Sequence, residues 1–290
     1  MGGTVYFLAV WLATAGVLFA QQISVELITN QDIYLPNEAL RVGVKISNRS
    51  GQPVIFGDDG AWAQFSIMGS DKLPLGKTGD PAPGEIFVLA NASQITRWFD
   101  LSPHFDLGTP GTFTVSTAVR VKQWGETFTG TVKRFDIVRG VNMAEIPFGV
   151  ASRQPSGIPE GRKYILQKVR DTREARLYLR VISDDGLKIY NVLPLGVLIS
   201  LSKPEYQADQ HGRFHALFQT GSRYFTYCLA SPDGQMIQRH IYEYTQKKPT
   251  LGLDENGRTI VKNGVRKPTP DDFPALPPRA PIPLPRRSDR

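Results

Sequence analysis

A period of two in the stretch from Trp98 to Val121 restricts most strongly what this chain can fold into. Its side chains divide between the two faces of an extended strand, with Phe113, Val115, Thr117 and Val119 on one face and Thr112, Thr114, Ser116 and Ala118 on the other. The segment Thr109-Pro110-Gly111 is a turn that starts this strand. One face is the more apolar, and its burial requires partner strands. We therefore predict an antiparallel sandwich in the first half of the chain.

The partner strands are predicted by the same alternation. Val25 and Leu27 alternate with polar neighbours, and residues 39–47 alternate over a longer run. Turn residues at 35–38 and 48–51 bound these runs. Further short strands are expected at 54–56, 64–68, 85–89, 94–99 and 130–138. A total of about seven or eight strands is typical of an immunoglobulin-like sandwich.

Four short segments carry a further signal: Tyr34-Leu-Pro-Asn-Glu, Asn48-Arg-Ser-Gly, Phe105-Asp-Leu and Pro110-Gly-Thr-Phe-Thr-Val. With them, residues 23–140 resemble the immunoglobulin-like domains of bacterial exported proteins, including macroglobulin-type modules. Trp62, Trp98 and the strand after Gly111 also occupy places similar to those in the small β-sandwich proteinase inhibitors of bacilli. Both resemblances imply a sandwich, and the second implies inhibition of a proteinase.

The first 20 residues contain no charged side chain and are apolar from Val5 to Ala20. This apolar run is shorter than the roughly 20 residues that span a bilayer. The small residue Ala20 suits a cleavage site, and polar sequence begins at Gln21. We therefore predict a secretory signal peptide that is cleaved between Ala20 and Gln21, with a retained anchor or a buried segment as alternatives. Export to the periplasm or the extracellular space follows from a signal peptide.

The second half of the chain has the pattern of another antiparallel β domain. Strand character is found at 164–169, 175–182, 187–192, 196–201, 213–219, 224–230 and 235–244. Tight turns join several of these strands, at Asp184-Asp185-Gly186, Thr220-Gly221-Ser222 and Ser231-Pro232-Asp233-Gly234. We expect a meander of neighbouring strands.

Proline and glycine interrupt the periodicity from Met143 to Arg162, which predicts a linker. The predicted organisation is a signal peptide (1–20), an immunoglobulin-like β-sandwich (21–142), a linker (143–162), a second antiparallel β-sandwich-like domain (163–245) and a basic, Pro-rich tail (246–290). The tail contains nine of the 22 prolines and has little apolar surface to bury, so we predict that it is disordered, with a folded hairpin at 251–265 as the alternative.

Most of the positive charge lies in this tail, which carries +5 of the formal net charge of +7. The body of the chain is therefore nearly neutral. Such a body has no broad electrostatic footprint for phosphate groups, and we expect no nucleic-acid partner. We expect the tail to make at most a weak contact with an anionic surface, screened by salt.

The residues to test for chemistry are one cysteine, Cys228, and four histidines, at 104, 211, 215 and 240. Cys228 has no partner for an intramolecular disulfide and lies in no nucleophile motif, so we expect a buried thiol. His211 and His215 have the spacing of a helical chelate, but they lie in an extended region, where four residues span about 13 Å. We expect no metal and no cofactor.

The acidic segments at 58–60, 184–186 and 254–257 have the composition of turns. Counted from Asp254, the fifth position of a calcium loop is Arg258 and the twelfth is Val265, which do not supply the required oxygens. The sequence has no Gly-rich phosphate loop, no paired-carboxylate motif and no Gly-x-Ser-x-Gly elbow. We therefore predict that the chain is not an enzyme.

Aromatic residues are concentrated in the last strands of the second half, at Tyr224, Phe225, Tyr227, Tyr242 and Tyr244. Cross-strand aromatic pairs stabilise sheets, and the alternative is a surface for a glycan or a peptide. We predict an exported, non-enzymatic binding or structural protein of the cell envelope, whose partner is a protein or an envelope polymer. The alternative is a proteinase inhibitor that presents residues 72–83 as a rigid exposed loop.

Overall fold

The structure is a computed structural model that describes residues 23–58, 62–82, 84–151, 157, 159–170, 174–199 and 203–274. The predicted signal peptide and its cleavage site between Ala20 and Gln21 lie outside the described residues. Strands dominate the described part of the chain, beside a single 3-10 turn at Lys122–Trp124. The predicted all-β fold class is confirmed. Within the same residues, no helix has the length and apolarity to cross a membrane.

The first half folds into two facing sheets. Its described strands are β1 (Ile23–Thr29), β2 (Ile33–Tyr34), β3 (Arg41–Asn48), β4 (Val54–Phe56), β5 (Ala63–Gly69), β6 (Phe87–Leu89), β7 (Ser93–Asp100), β8 (Gly111–Val121), β9 (Glu126–Thr129) and β10 (Lys133–Ile137). One sheet has the order β1-β3-β7, and the other has the order β2-β10-β8-β5 with β9 beside β8. Strands β4 and β6 form a separate pair. All these pairs are antiparallel except the short parallel contact between β2 and β10.

The core of the first sandwich is formed by inward side chains of both sheets. Trp62 is 1% exposed, and the rings of Phe56, Phe87 and Phe99 lie 5.6–5.7 Å from it, measured between centroids. The predicted inward face of β8 is buried, as Phe113, Val115, Thr117 and Val119 show. The period of two therefore identified both the strand and the face that it buries.

The second half forms a second sandwich. Its described strands are β11 (Val141–Val150), β12 (Glu160–Arg170), β13 (Ala175–Ser183), β14 (Ile189–Leu198), β15 (Glu205–Ala208), β16 (Phe214–Gln219), β17 (Tyr224–Ala230), β18 (Met236–Glu243), β19 (Thr250–Leu253), β20 (Thr259–Lys262) and β21 (Val265–Lys267). One sheet has the order β11-β12-β13-β14 and the other β15-β16-β17-β18-β21. Leu166 and Leu179 of the first sheet share a buried core with Phe214 and Phe218 of the second.

The strand β14 replaces two strands that the sequence predicted, at 187–192 and 196–201. The chain continues through Pro194 to Leu198 without leaving the sheet. Gly196 has a φ of 141°, and the register against β13 shifts beside it. A residue with a side chain is strained at this φ, so the glycine permits an irregularity that the sequence pattern presented as a break.

The predicted linker at 143–162 is wrong for most of its described residues. Residues 143–150 lie in β11, and β12 begins at Glu160 and pairs with β11 in antiparallel register. Pro147 is accommodated because β11 is the edge strand of its sheet, where a missing N–H can face away from the neighbouring strand. Partly buried side chains at Ala144, Ile146 and Phe148 alternate along β11 and pack on the second core.

The predicted disordered tail, 246–290, is also wrong for its described residues. Strands β19 and β20 form a hairpin, and β21 extends the sheet of β18. Leu251 and Val261 of the hairpin pack on a buried cluster at the outer face of β16 and β17, formed by Leu217, Phe225, Tyr227 and Leu229. This apolar contact offsets the polar composition that predicted disorder. Residues 275–290 lie outside the described part of the chain.

The two sandwiches meet at the turn between β2 and β3. Leu35 is buried against Val169, Tyr178 and Val192 of the second sandwich. The guanidinium of Arg180 donates a hydrogen bond to the carbonyl of Pro36 at 2.8 Å. We call this contact the joint.

Candidate functional site

The second sandwich opens into a pocket at one edge, where β14 of one sheet faces β18 and β21 of the other. The cavity has a volume of about 530 Å³. Its wall comprises Leu195, Gly196, Val197, Thr220, Tyr224, Thr226, Arg239, Ile241, Lys267, Thr269 and Asp271. We call this cavity the mouth of the second sandwich.

The strand β17 shows how the core becomes the mouth. Alternation places Ala230, Cys228, Thr226 and Tyr224 on its inward face. Ala230 and Cys228 belong to the buried core, whereas Thr226 and Tyr224 line the mouth. The inward row of this strand therefore changes from apolar to polar as the two sheets separate.

The neighbouring strand β18 contributes Arg239 and Ile241, which pair with Cys228 and Thr226 of β17 in the antiparallel register. The Nη2 of Arg239 donates a hydrogen bond across the sandwich to the carbonyl of Pro194 at 3.0 Å. Its Nε is buried and has no hydrogen-bond partner among the described residues. A buried N–H of a charged group is costly to leave without an acceptor.

Charges at the rim of the mouth are mostly paired. The ammonium of Lys267 lies 2.9 Å from a carboxylate oxygen of Glu243. The segment after β21 returns to β18, where the backbone of Phe273 exchanges hydrogen bonds with that of Arg239. Asp271 of this segment is a carboxylate in the wall itself. Among the described residues, no carboxylate lies within 4.0 Å of the Arg239 guanidinium, whereas the ammonium of Lys267 has Glu243.

The predicted buried thiol is confirmed. Cys228 is 1% exposed and its Sγ donates a weak hydrogen bond to the carbonyl of Leu195 at 3.7 Å. Burial raises the pKa of the thiol to about 11, against the opposing effect of Arg239. A thiol with a raised pKa is a poor nucleophile near neutral pH because little of it is ionised.

A second polar cluster lies beneath the β19–β20 hairpin. The Nδ1 of His215 is 2.9 Å from the hydroxyl of Tyr227, and its Nε2 is 3.2 Å from the carboxylate of Asp209. Burial lowers the pKa of His215, partly offset by Asp209. Burial opposes ionisation of Asp209 as well, but hydrogen bonds led by that of Arg213 lower its pKa to about 2. All of these contacts are internal, so the cluster fixes the β15–β16 turn against β17.

The other residues considered for metal binding do not come together. His211 has its backbone N–H bonded to Asp209 in the β15–β16 turn, and His240 lies on β18. Within the described ranges, no group of three or more His, Cys, Asp or Glu side chains is arranged to hold a metal ion. The acidic segment at Asp254 is a turn, because its carboxylate accepts hydrogen bonds from the backbone of Asn256 and Arg258.

The aromatic residues of the last strands separate into two groups. Phe225 and Tyr227 are buried with Tyr242 under the β19–β20 hairpin. Tyr224 instead is half exposed and lines the mouth. Tyr244 is also partly exposed, at 38%, but it does not line the mouth. Three of the five predicted aromatic residues therefore pack the sheet, and Tyr224 is the one that faces the cavity.

The joint contains a buried acid. Glu38 is 3% exposed, and its two carboxylate oxygens accept hydrogen bonds from the backbone of Leu35 at 2.8 Å and the side chain of Gln31 at 2.7 Å. Burial raises the pKa of Glu38 to about 7, although these hydrogen bonds and Arg176 act in the opposite direction. The acid holds the turn that inserts Leu35 into the second sandwich.

Comparison with known proteins found likeness only at the level of structure. No family model and no curated protein matches this chain. The crystal structure of Spo0M, a sporulation control protein from Bacillus subtilis, is similar to it with a TM-score of 0.31 and 10% sequence identity. The match covers 60% of this chain and 90% of that chain. A likeness at this level carries no inference about function.

Sequence reasoning did not find the mouth. It named Tyr224 and the strands that carry the other side chains, but it assigned no role to Leu195, Arg239 or Lys267. One signal was available, because Arg239 and Ile241 are two residues apart on β18 and therefore lie on the same face, and the neighbouring strand β17 is mostly buried. A cation at an inward position of a strand suggests either an internal partner or a ligand.

Proposed function

We propose that this protein binds a small ligand in the mouth of the second sandwich and does not act on it chemically. The cavity of about 530 Å³ between the two sheets carries this proposal. Small-molecule sites have volumes of about 300–1,000 Å³ and apolar walls with a few polar groups. The mouth has this composition, with Leu195, Val197 and Ile241 beside two cations and three threonines.

The state of the nucleophilic groups supports a binding role. Cys228 faces the core beside the mouth with its pKa raised by burial to about 11. His215 already uses both ring nitrogens in internal hydrogen bonds. Neither group offers a free, activated atom to a ligand in the mouth.

We also propose that the protein is exported and acts in the cell envelope, where a protein or an envelope polymer is a further partner. The apolar, uncharged segment of the first 20 residues supports export. The proposal predicts a mature N-terminus at Gln21, within about two residues. Intact-mass spectrometry of the protein from its own cells tests this, and a soluble cytoplasmic species that retains Met1 contradicts it.

Within this role, we propose that the first sandwich is immunoglobulin-like. The facing sheets β1-β3-β7 and β2-β10-β8-β5 support that proposal, because two antiparallel sheets around an aromatic core are what such a domain requires. A crystal structure tests it through the strand connections, and a different order of strands contradicts it.

The ligand-binding proposal is tested with an uncharged fluorescent probe, N-phenyl-1-naphthylamine, whose emission rises in an apolar site. Replacing Ile241 by Trp fills the mouth without changing its charge. The matched control is Ile260→Trp, at an exposed position of β20 outside the mouth. We expect the wild type and Ile260→Trp to bind the probe and Ile241→Trp to bind it at least about tenfold more weakly. Equal binding by all three, or no binding by the wild type, contradicts the proposal.

Proteinase inhibition is a second candidate function, favoured by the way residues 72–82 are held. Lys77 forms a bridge with Phe105, and its ammonium donates a hydrogen bond to the carbonyl of Phe65 at 3.0 Å. Leu73 is 64% exposed and lies next to the bridge between Pro74 and Met68. An exposed loop that is pre-organised loses little entropy on binding to a proteinase. Pro83, at the end of the predicted loop, lies outside the described residues.

Inhibition assays against trypsin and subtilisin test this second function. If residues 72–82 are an inhibitory loop, the wild type inhibits one of the two stoichiometrically and Leu73→Asp loses that inhibition. The control is Leu253→Asp on β19, where the leucine is 54% exposed. Cleavage of the loop without inhibition of either proteinase contradicts the proposal.

A further inference from the structure

The mouth has one apolar side that is suited to a hydrocarbon body. Leu195 and Val197 approach from β14, and Ile241 approaches from β18 on the other sheet. The ring of Tyr224 adds an aromatic face at the rim. Transfer of hydrocarbon from water to such a wall is favourable in proportion to the apolar area that it covers.

The opposite feature of the mouth is a guanidinium without an anionic partner. Arg239 donates to the carbonyl of Pro194, but its buried Nε has no acceptor among the described residues. A carboxylate is the natural complement, since it accepts two parallel hydrogen bonds from the fork of an arginine. A ligand that brings such a group would neutralise a guanidinium that no described carboxylate pairs within 4.0 Å.

The remaining charges select for a single negative charge. Glu243 already neutralises Lys267 at 2.9 Å. Asp271 lies in the wall of the same cavity and repels anions. Arg239 is thus the one positive charge of the wall that no described carboxylate pairs within 4.0 Å, and a doubly charged phosphate would meet more repulsion from Asp271 than a carboxylate.

We propose that the mouth binds an amphipathic monocarboxylate, with the carboxylate on Arg239 and the apolar body against Leu195, Val197 and Ile241. This inference rests on the proposed ligand-binding function and specifies the class of ligand. The ligand is a free organic acid of modest length, because the cavity is bounded by the segment at Thr269 and Asp271.

Four ligands separate the contribution of the apolar body from that of the charged head group: octanoate, octanol, octyl phosphate and acetate. Each is used on the purified full chain to displace N-phenyl-1-naphthylamine, so that binding is read at one site. We expect octanoate to bind about tenfold or more tightly than octanol, because a hydrogen bond to a charged group contributes more than one to a neutral group. Acetate lacks the apolar body, and octyl phosphate has the extra charge, so both bind more weakly than octanoate.

Two substitutions change the head-group site in opposite directions. Arg239→Gln should reduce octanoate affinity about tenfold while octanol affinity stays within about twofold. Asp271→Asn removes a repelling charge and should raise octanoate affinity about two- to fivefold, again without effect on octanol. The control is Lys262→Gln, which removes a cation of β20 outside the mouth and should change neither affinity.

The outcomes separate the class of ligand from the existence of the site. Equal affinity for octanoate and octanol, or an Arg239→Gln variant that keeps its preference, overturns the carboxylate inference. If octanoate and octanol bind equally well and Ile241→Trp binds neither, the ligand-binding function stands although the carboxylate inference fails. Tighter binding of octyl phosphate identifies the wrong head group and overturns the inference. Failure of both octanoate and octanol to displace the probe overturns the inference, and insensitivity of all binding to Ile241→Trp overturns the function as well.

Discussion

The two sandwiches use their inward positions differently. In the first sandwich, the inward row of β8 is buried from Phe113 to Val121, and its single polar member, Thr117, donates a hydrogen bond to the carbonyl of Gln64 at 2.9 Å. In the second sandwich, the inward row of β17 starts in the core at Ala230 and ends at Tyr224 in the mouth. One core is closed along the whole length of its strand, and the other opens between its sheets.

This difference teaches where binding can be located in a chain that has few chemical motifs. A closed core stabilises the fold but offers no space, because protein interiors are packed as densely as organic crystals. An opened core offers a cavity whose walls are apolar side chains packed against the protein interior, with polar side chains at the rim. In our proposal the second sandwich therefore carries the ligand site, and the first is joined to it through Leu35 and Arg180.

The closed core of the first sandwich predicts a large loss of stability for Trp62→Ala. We expect the free energy of unfolding to fall by about 3–5 kcal/mol, since the ring is fully buried among other aromatic rings. The control is the same substitution at Trp98, which is 49% exposed and should cost about 1 kcal/mol. Denaturant unfolding measures both, and similar losses at the two tryptophans contradict a closed core around Trp62.

The buried acid of the joint predicts a pH dependence of the coupled sandwiches. The folded pKa of Glu38 is about 7, above its ordinary value of 4.5, so the folded chain binds this proton more tightly than the unfolded chain. Its stabilising contribution is fully present below about pH 4.5 and is lost as the pH rises through about 7, a change of about 3 kcal/mol.

Unfolding of Glu38→Gln as a function of pH tests this linkage. The variant carries a neutral group at every pH and should lack the fall in stability between about pH 4.5 and 7 that the wild type shows. The matched control, Glu26→Gln, alters an exposed ion pair with Lys45 and should keep the wild-type slope. A wild-type curve that rises over this range would refute the sign of the argument.

The hairpin of β19 and β20 predicts a smaller effect. Leu251→Ser removes an apolar contact with the cluster under the hairpin and should lower the free energy of unfolding by about 1–2 kcal/mol. Leu253→Ser, at an exposed position of the same strand, should change it by less than about 0.5 kcal/mol. Equal effects of the two serines would show that the hairpin does not pack on the sheet in solution.

We expect truncation after Pro274 to leave the stability unchanged, because the described strand pairings of the hairpin and of β21 all lie before that residue. The removed segment contains four arginines and one aspartate. We expect the loss of this segment to abolish binding to anionic vesicles. That binding should be sensitive to salt, since screening shortens the range of the attraction to about 8 Å at 0.15 M salt. Co-sedimentation at two salt concentrations measures this, and binding that survives truncation locates the contact elsewhere.

Local patterns predicted most strands because alternation and turn chemistry act over a few residues. They failed where tertiary contacts outweighed composition. Pro147 indicated a linker, yet an edge strand tolerates it, and the charged segment around Leu251 folds because a buried cluster receives it. Separate strands were predicted at 187–192 and 196–201, although the positive φ of Gly196 only makes one continuous strand irregular.

The mouth was beyond sequence reasoning for a different reason. Leu195 and Arg239 are distant in the sequence, and only the facing of two sheets brings them into one cavity. The lack of a partner for the Arg239 Nε is likewise a property of the fold. Alternation along β18 could show that the cation Arg239 is on the inward face, but the space beside that side chain depends on how far the two sheets separate.

The most direct measurement of the central claim is methyl NMR of the full chain during titration with octanoate. If the mouth of the second sandwich is the ligand site, the methyl signals of Leu195, Val197 and Ile241 shift, and those of Val44 and Val115 in the first core remain in place. The same titration of Ile241→Trp should leave the methyl signals of Leu195 and Val197 unchanged. Saturating shifts in the first sandwich, with none at Leu195 or Val197, would contradict the claim that the opened core of the second sandwich binds the ligand.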